Sequence, residues 1–99
     1  MRLLVALLVI ASLVGCGPIQ STASLIDAEV ALEAARAAGA PGSAPYEYTA
    51  AEAYLHKSRE VSGRARYEES AIFAARARDL AKEAREKAIA TSAKDEVAP

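Results

Sequence analysis

Two residues stand out as candidates for chemistry, because the chain contains one cysteine, Cys16, and one histidine, His56. A cysteine thiolate is a nucleophile that can accept a lipid. A zinc site needs three or four suitable ligands, and no second cysteine or histidine exists to complete one. Glu52 precedes His56 by one helical turn, so we expect a solvated histidine beside a carboxylate. A lone histidine with scattered carboxylates also predicts no catalytic triad or acid–base pair.

The residues before Cys16 have the organisation of an export signal. Arg2 gives a short positive start, and an apolar stretch from Leu3 to Leu13 follows, broken only by Ser12. This length matches the hydrophobic region of a signal peptide and falls short of the roughly 20 residues that a spanning helix needs. We therefore predict a removable signal peptide at residues 1–15.

The end of this segment, Leu13, Val14 and Gly15 followed by Cys16, resembles the lipobox of bacterial lipoproteins. The resemblance implies a diacylglycerol thioether on Cys16, cleavage just before it, and acylation of the new amino group. Each buried CH₂ contributes about 0.8 kcal/mol, so two or three acyl chains would hold the protein on a membrane. The alternatives are an ordinary secretory peptide and an N-terminal anchor helix with an incidental cysteine.

Gly17 follows the cysteine, where aspartate would resemble an inner-membrane retention signal. In a Gram-negative source this pattern implies a lipid-anchored protein of the outer membrane that faces the periplasm. Gly17 and Pro18 are unfavourable for a regular helix start, so we expect a lipidated tether at residues 16–22.

The rest of the chain predicts helices and no strands. Alanine accounts for 25 of the 99 residues, and apolar positions recur at helical spacing over about 22–38, 47–63 and 67–91. The segment GAPGSAP at 39–45 predicts a loop, and Gly63 to Arg66 predicts a tight turn between neighbouring helices. The expected fold is therefore all-α: a small antiparallel helical hairpin or three-helix domain at residues 23–91, with a flexible tail at 92–99.

The core of this domain should be thin. Alanine stripes remove little apolar surface from water, and a domain of this size buries only about 60% of its unfolded surface. We expect eight large side chains to hold the helices together: Leu25, Leu32, Tyr54, Leu55, Val61, Tyr67, Phe73 and Leu80. Marginal stability should result.

Two stretches resemble known families. Residues 44–60, APYEYTAAEAYLHKSRE, and residues 66–77, RYEESAIFAARA, resemble the domain of unknown function 4398, found in small bacterial envelope lipoproteins. This resemblance covers about residues 25–90 and implies no catalytic residues. The region also resembles a single tetratricopeptide helix pair, with departures at Lys57 and Val61 and no closing proline. One such unit forms no solenoid, because about three repeats are needed to bury a continuous core.

Charge and tyrosine placement indicate candidate interaction surfaces. Residues 16–56 contain one basic and five acidic residues, whereas residues 57–99 contain ten and eight. A basic strip could meet anionic headgroups, peptidoglycan or an acidic partner. Its members are Arg59, Arg64, Arg66, Arg76, Arg78, Lys82 and Arg85, of which Arg59, Arg66 and Arg76 are the candidate interaction residues. Interleaved acids favour a salt-bridged surface instead. Tyr46 and Tyr48, at a loop–helix junction, could form an exposed binding edge or pack into the core.

These features predict a membrane-anchored envelope lipoprotein with a structural or adaptor role and no enzymatic activity. The alternatives are a subunit of a self-associating envelope assembly and a peptidoglycan-binding accessory protein. A cell-wall glycan hydrolase is a third class, against which the missing catalytic constellation argues. The expected partners are a membrane, through the anchor, and an envelope protein or a second copy. A net charge of −1 argues against nucleic acid, and no cofactor or small-molecule substrate is expected.

Overall fold

The computed structural model describes residues 1–14 and 16–97, and it describes side-chain exposure for residues 1–10 and 19–96. These residues form five helices and no strand, so the all-α prediction is confirmed. The helices are α1 (Arg2–Val14), α2 (Cys16–Ala37), α3 (Ala40–Ser43), α4 (Pro45–Gly63) and α5 (Tyr67–Val97). Among the described helices, none combines the length and the apolar character needed to cross a membrane.

Helices α2, α4 and α5 form a three-helix bundle in which α5 packs along both of the others. Buried residues of α2 meet residues of α5 that lie 49 positions later in the chain. Ser21 bonds to Ser70, Ala28 lies in one core cluster with Ala77, and Ala35 lies in another with Ala84. Because the offset is constant, α2 and α5 run parallel. α4 runs antiparallel to α5, since Glu47 near its start contacts Lys87, and Ser58 near its end contacts Ser70.

A small residue occupies every seventh position on the buried face of each long helix. These positions are Ser21, Ala28 and Ala35 in α2, Ala51 and Ser58 in α4 together with Ala44 just before it, and Ser70, Ala77 and Ala84 in α5, and none is more than 2% exposed. A seven-residue repeat keeps one seam facing the neighbouring helices. Small side chains along that seam let the helix axes approach closely.

Three serines join the helices at one level of the bundle. Ser21 Oγ donates to Ser70 Oγ at 2.9 Å, and Ser58 Oγ donates to the carbonyl oxygen of Ser70 at 2.7 Å. Ser58 Oγ also lies 3.1 Å from Ser70 Oγ. Among the described residues, these serines are the largest side chains that are completely buried. Each hydroxyl has a partner, as buried polar groups require, so the cluster fixes the register of the bundle.

The predicted core is only partly correct. Of the eight large side chains expected to hold the helices, Leu55 and Val61 are buried, and the other six are half-buried. Tyr54 and Phe73 stack at the edge of the bundle, with ring centroids 6.2 Å apart. Alanine occupies most of the buried positions instead, because the seven-residue repeat places small residues where the three helices meet.

Three predicted boundaries need correction. Residues 16–22 are helical rather than a tether: α2 begins at Cys16, and Pro18 falls in its first turn, where backbone N–H groups have no intrahelical partner in any case. The loop at 39–45 contains the short helix α3, preceded by Gly39 with a left-handed φ of 86°. The expected tail at 92–99 is helical up to Val97, because no glycine or proline interrupts residues 67–97.

The turn between α4 and α5 also differs in detail from the prediction. The N–H of Arg66 donates to the carbonyl of Val61 at 3.0 Å, and the N–H of Ala65 donates to the carbonyl of Ser62 at 3.0 Å. This is the Schellman pattern, in which one residue adopts the left-handed conformation. Ala65 takes that position with φ 61°, whereas Gly63 is the last residue of α4.

Candidate docking groove

An open groove runs along the side of α2 and α5 that faces away from α4. It consists of two depressions placed end to end. The first encloses about 630 Å³ and is lined by Gln20, Ser21 and Ser24 of α2 and by Tyr67, Glu68, Ala71, Ile72 and Ala75 of α5. The second encloses about 520 Å³, with Asp27, Val30, Ala31 and Ala34 on the α2 wall and Arg78, Lys82 and Arg85 on the α5 wall.

The two depressions form one continuous surface. Asp27 lies three residues after Ser24, and Arg78 lies three residues after Ala75, so each wall continues along one helix face. On α5 the groove extends from Tyr67 to Arg85, about 27 Å at 1.5 Å per residue. We call this surface the α2/α5 groove.

The groove has a floor of small residues and an aliphatic rim. Four alanines line it, two from each helix: Ala31, Ala34, Ala71 and Ala75. Val30 and Ile72 lie at its edges and are 63% and 62% exposed. Within residues 19–96, the exposed large aliphatic side chains all belong to α2 and α5, namely Ile19, Ile26, Val30, Ile72 and Ile89. Of these, Ile72 and Val30 line the groove, and contiguous exposed apolar surface of this kind marks interaction sites.

The second depression is positively charged. Arg78 donates from Nη2 to Asp79 at 3.1 Å. Within the described part of the chain, Lys82 and Arg85 form no ion pair or side-chain hydrogen bond. Asp27 is the one carboxylate among the residues lining this depression. On the α5 wall, Lys82 and Arg85 therefore have no bonded carboxylate among the described residues, whereas Arg78 is paired with its chain neighbour Asp79.

The opposite flank of α2, which faces α4, is bridged by polar side chains. Arg59 of α4 pairs with Glu29 of α2. Arg36 Nε donates to the hydroxyl of Tyr48 at 3.0 Å, and this hydrogen bond raises the pKa of the Arg36 guanidinium above its ordinary value. Arg36 also pairs with Glu33 at 3.0 Å. These contacts connect α2 to α4 across the surface.

The structure separates the two tyrosines that were predicted to act together. Tyr46 is 78% exposed, and Tyr48 is buried at 6%. Tyr46 lies on an apolar patch of α4 with Pro45, Thr49, Ala50 and Ala53. The binding-edge alternative therefore describes the position of Tyr46 alone, and the core alternative describes that of Tyr48.

The predicted arginines also occupy separate surroundings. Arg59 bridges α4 to α2, and Arg66 pairs with Glu69 at 3.6 Å. The guanidinium carbon of Arg76 lies 5.8 Å from the ring centroid of Tyr54, within cation–π range. None of the three lines the α2/α5 groove. In the sequence, the groove cations are indicated by their helical spacing, because Arg78, Lys82 and Arg85 continue the α5 face that begins with Ala71 and Ala75.

A further ion pair connects α4 to α5. Lys87 donates to Glu47, whose side chain is 12% exposed. This hydrogen bond holds the pKa of Glu47 below its ordinary value and raises the pKa of Lys87. Lys87 also lies 3.7 Å from Glu83, and Arg64 lies 3.3 Å from Glu60. Both are pairs at the i,i+4 spacing that stabilises helices.

His56 is exposed, and the described residues contain no group of three or more potential ligands placed to hold a metal ion.

Gly15 lies outside the described residues, and so do the side chains of Leu13, Val14 and Cys16. The lipobox and the lipidation of Cys16 therefore stay predictions.

No protein-family model matches the chain, and neither the curated proteins nor the solved structures give a match. The resemblances to domain of unknown function 4398 and to a tetratricopeptide helix pair stay predictions.

Proposed function

We propose that this protein is a lipid-anchored, non-catalytic adaptor of the bacterial envelope that binds a helix of a partner protein in the α2/α5 groove. The observation that carries the proposal is the groove, with its alanine floor and aliphatic rim. Packed helices lie about 8–10 Å apart, and small side chains at the contact favour the shorter distance. A docked helix would complete a four-helix arrangement and cover the exposed aliphatic rim.

The order of residues at the start of α2 supports a link between the anchor and the groove. Cys16 is the first residue of α2, and the helix continues from it into the bundle. A lipid on Cys16 would hold the bundle at that end. Gln20, at the start of the groove, lies four residues later, about 6 Å along the helix. The groove would then begin close to the membrane and extend away from it.

The anchor is tested by mass spectrometry of the intact protein extracted from membranes. We expect the loss of residues 1–15 and the added mass of acyl chains on Cys16. The variant Cys16→Ser should remain an uncleaved precursor, whereas Ser12→Ala, in the apolar stretch, should be processed normally. An unmodified cysteine in the mature protein would contradict the anchor. With processing confirmed in a Gram-negative source, Gly17 supports delivery to the outer membrane, with the bundle in the periplasm.

The groove is tested by photo-crosslinking in intact cells. A photoreactive amino acid at Ala31 or Ala75 should crosslink the protein to a partner, and the same residue at His56, exposed on α4, should not. Mass spectrometry of the product should place the crosslink on a helical segment of the partner. Products from position 56 equal to those from the groove would contradict docking in the groove. A third probe position, Ala53, tests the apolar patch around Tyr46. Crosslinks formed only from Ala53 would show that the partner docks on that patch.

A further inference from the structure

We propose that the helix that occupies the α2/α5 groove belongs to a different protein and has acidic residues along one edge. This inference rests on the proposed function, because it specifies the partner of the same groove. It starts from the charge of the α5 wall. Arg78, Lys82 and Arg85 follow one another at spacings of four and three residues, which places all three on one face of α5.

The two walls of the second depression differ in a way that defines the partner's surface. The α5 wall presents the three cations, while the α2 wall presents Asp27 at one end and then Val30, Ala31 and Ala34. A helix lying between them would place one edge beside the cations and the other beside apolar side chains. Glutamate or aspartate at i, i+4 and i+7 on the first edge would complement the charges, and small or aliphatic residues on the second would cover the rim.

The length of the groove sets the length of the partner segment. The α5 wall from Tyr67 to Arg85 corresponds to about 27 Å, or about 18 residues of a docked helix at 1.5 Å per residue. The alanine floor lets a helix approach closely when the face that points into the groove carries small side chains. The partner helix should therefore present small residues inward and carry its carboxylates at the side.

Charge argues against a second copy as the occupant. Two chains anchored in one membrane through Cys16 would stand parallel, and a two-fold axis along the bundle would place equivalent levels of the two grooves together. The cations of both copies would then meet, with Asp27 of each chain as the only carboxylate in that half of the groove. A surplus of like charge opposes such a contact.

The distance from the anchor argues against lipid headgroups. By the register of the bundle, Arg78 lies level with Glu29, thirteen residues beyond Cys16, which is about 20 Å along α2. Charges separated by more than the Debye length, about 8 Å at physiological salt, interact weakly. In a bundle that stands upright on its anchor, the groove cations lie beyond the reach of anionic headgroups.

The experiment uses two synthetic 18-residue helical peptides and the full protein, extracted from membranes in mild detergent. The peptides share an alanine–leucine face and differ only at one edge, which carries glutamate in one and lysine in the other. Fluorescence anisotropy measures their binding. We expect the glutamate peptide to bind at least about tenfold more tightly, and the difference to shrink as salt is added.

Two charge-matched variants locate the effect. Lys82→Glu/Arg85→Glu should abolish or invert the preference for the glutamate peptide. Arg64→Glu/Lys94→Glu changes the net charge equally at positions outside the groove and should leave the preference intact. Circular dichroism confirms that both variants keep the helical fold.

Each remaining outcome overturns the charge assignment. Equal affinity for the two peptides, absence of binding by either, or an unchanged preference in Lys82→Glu/Arg85→Glu would each do so. Concentration-dependent dimers that disappear in Ala75→Leu would identify a second copy. Binding to phosphatidylglycerol vesicles that requires Lys82 and Arg85 would identify a lipid surface. After any of the three peptide-binding outcomes, crosslinks between the groove and a partner helix in cells would still support the proposed adaptor function.

Discussion

The two flanks of α2 differ in whether side chains from the neighbouring helix reach across to it. On the flank that faces α4, Arg59 reaches Glu29, and Arg36 reaches the hydroxyl of Tyr48. On the other flank, Ala31 and Ala34 face the cations of α5 across an open groove. Both flanks belong to a helix whose buried seam is formed by Ser21, Ala28 and Ala35.

The difference shows that the length and bonding of the flanking side chains decide which surface of this bundle is bridged. The bridged flank keeps a smaller depression of about 340 Å³, lined by residues that include Glu29, Arg36 and Arg59. Small residues bring the axes of the three helices together along the seam. They leave an open space at the surface wherever a long side chain does not cross from one helix to the next. α4 supplies such crossing side chains, whereas α5 on the far side supplies Lys82 and Arg85, which bond to no described residue. The open flank is thus available to an outside helix.

The largest expected effect comes from testing the same residue type on the two sides of α5. Ala74 is completely buried, so Ala74→Leu should overpack the seam and cost about 1–3 kcal/mol of unfolding free energy. Ala75 lines the groove, and Ala75→Leu should leave the fold intact while blocking helix docking. Chemical denaturation measures the first effect, and peptide binding measures the second.

This pair of variants can contradict the assigned faces directly. Equal unfolding free energies for Ala74→Leu and Ala75→Leu would show that the buried seam of α5 is misplaced. Normal peptide binding by a folded Ala75→Leu variant would show that the groove is not the docking surface.

The serine cluster should show the next largest effect. Ser70→Ala removes the hydroxyl that accepts from Ser21 and leaves a buried donor without that partner, which should cost about 1–2 kcal/mol. Ser24→Ala, in the wall of the open groove, is the matched control and should change the unfolding free energy little. Similar losses in both variants, measured by urea denaturation, would show that the cluster adds no specific stability.

The sequence predicts the helices of this bundle better than it predicts their contacts. The propensity of alanine and the glycine and proline breaks are local signals, so the helix class and the α4–α5 turn followed from them. Whether Tyr48 or Tyr54 enters the core depends on which helix lies opposite, and no local pattern contains that information. The groove was missed for the same reason: Arg78 and Lys82 look like other members of the basic strip until α2 is placed parallel to α5.

A smaller effect concerns the turn that joins α4 to α5. Ala65 has the left-handed conformation that glycine prefers, and Gly63 lies in the helix, where alanine is preferred. Ala65→Gly should stabilise the fold by about 1 kcal/mol, because an L-residue is strained in the left-handed conformation. Gly63→Ala should add about 0.5–1 kcal/mol, because Gly63 is helical and an added Cβ meets open space. Gly39→Ala is the contrasting control, since φ there is 86°, and it should destabilise. Thermal melts distinguish these directions.

The smallest expected effect is the pH dependence of the bridge between Glu47 and Lys87. The pKa of Glu47 is lowered in the folded state, so its contribution is present above the ordinary glutamate pKa of about 4.3 and is lost as pH falls through the folded-state value. The pKa of Lys87 is raised, so its contribution is present below about 10.4 and is lost as pH rises through the folded-state value. The bridge therefore stabilises the bundle across the neutral range and fails at both extremes.

Glu47→Gln should accordingly melt at a lower temperature than the unmodified protein at neutral pH, and the difference should vanish in strong acid, where Glu47 is protonated in both states. Added salt should also reduce the difference, because the Lys87 side chain is 51% exposed and its charge is screened. Glu83→Gln removes the more exposed carboxylate beside the same lysine and should change the melting temperature less. A melting difference for Glu47→Gln that persists unchanged into strong acid would show that Glu47 acts through packing, and that the contact between α4 and α5 gains nothing from this charge pair.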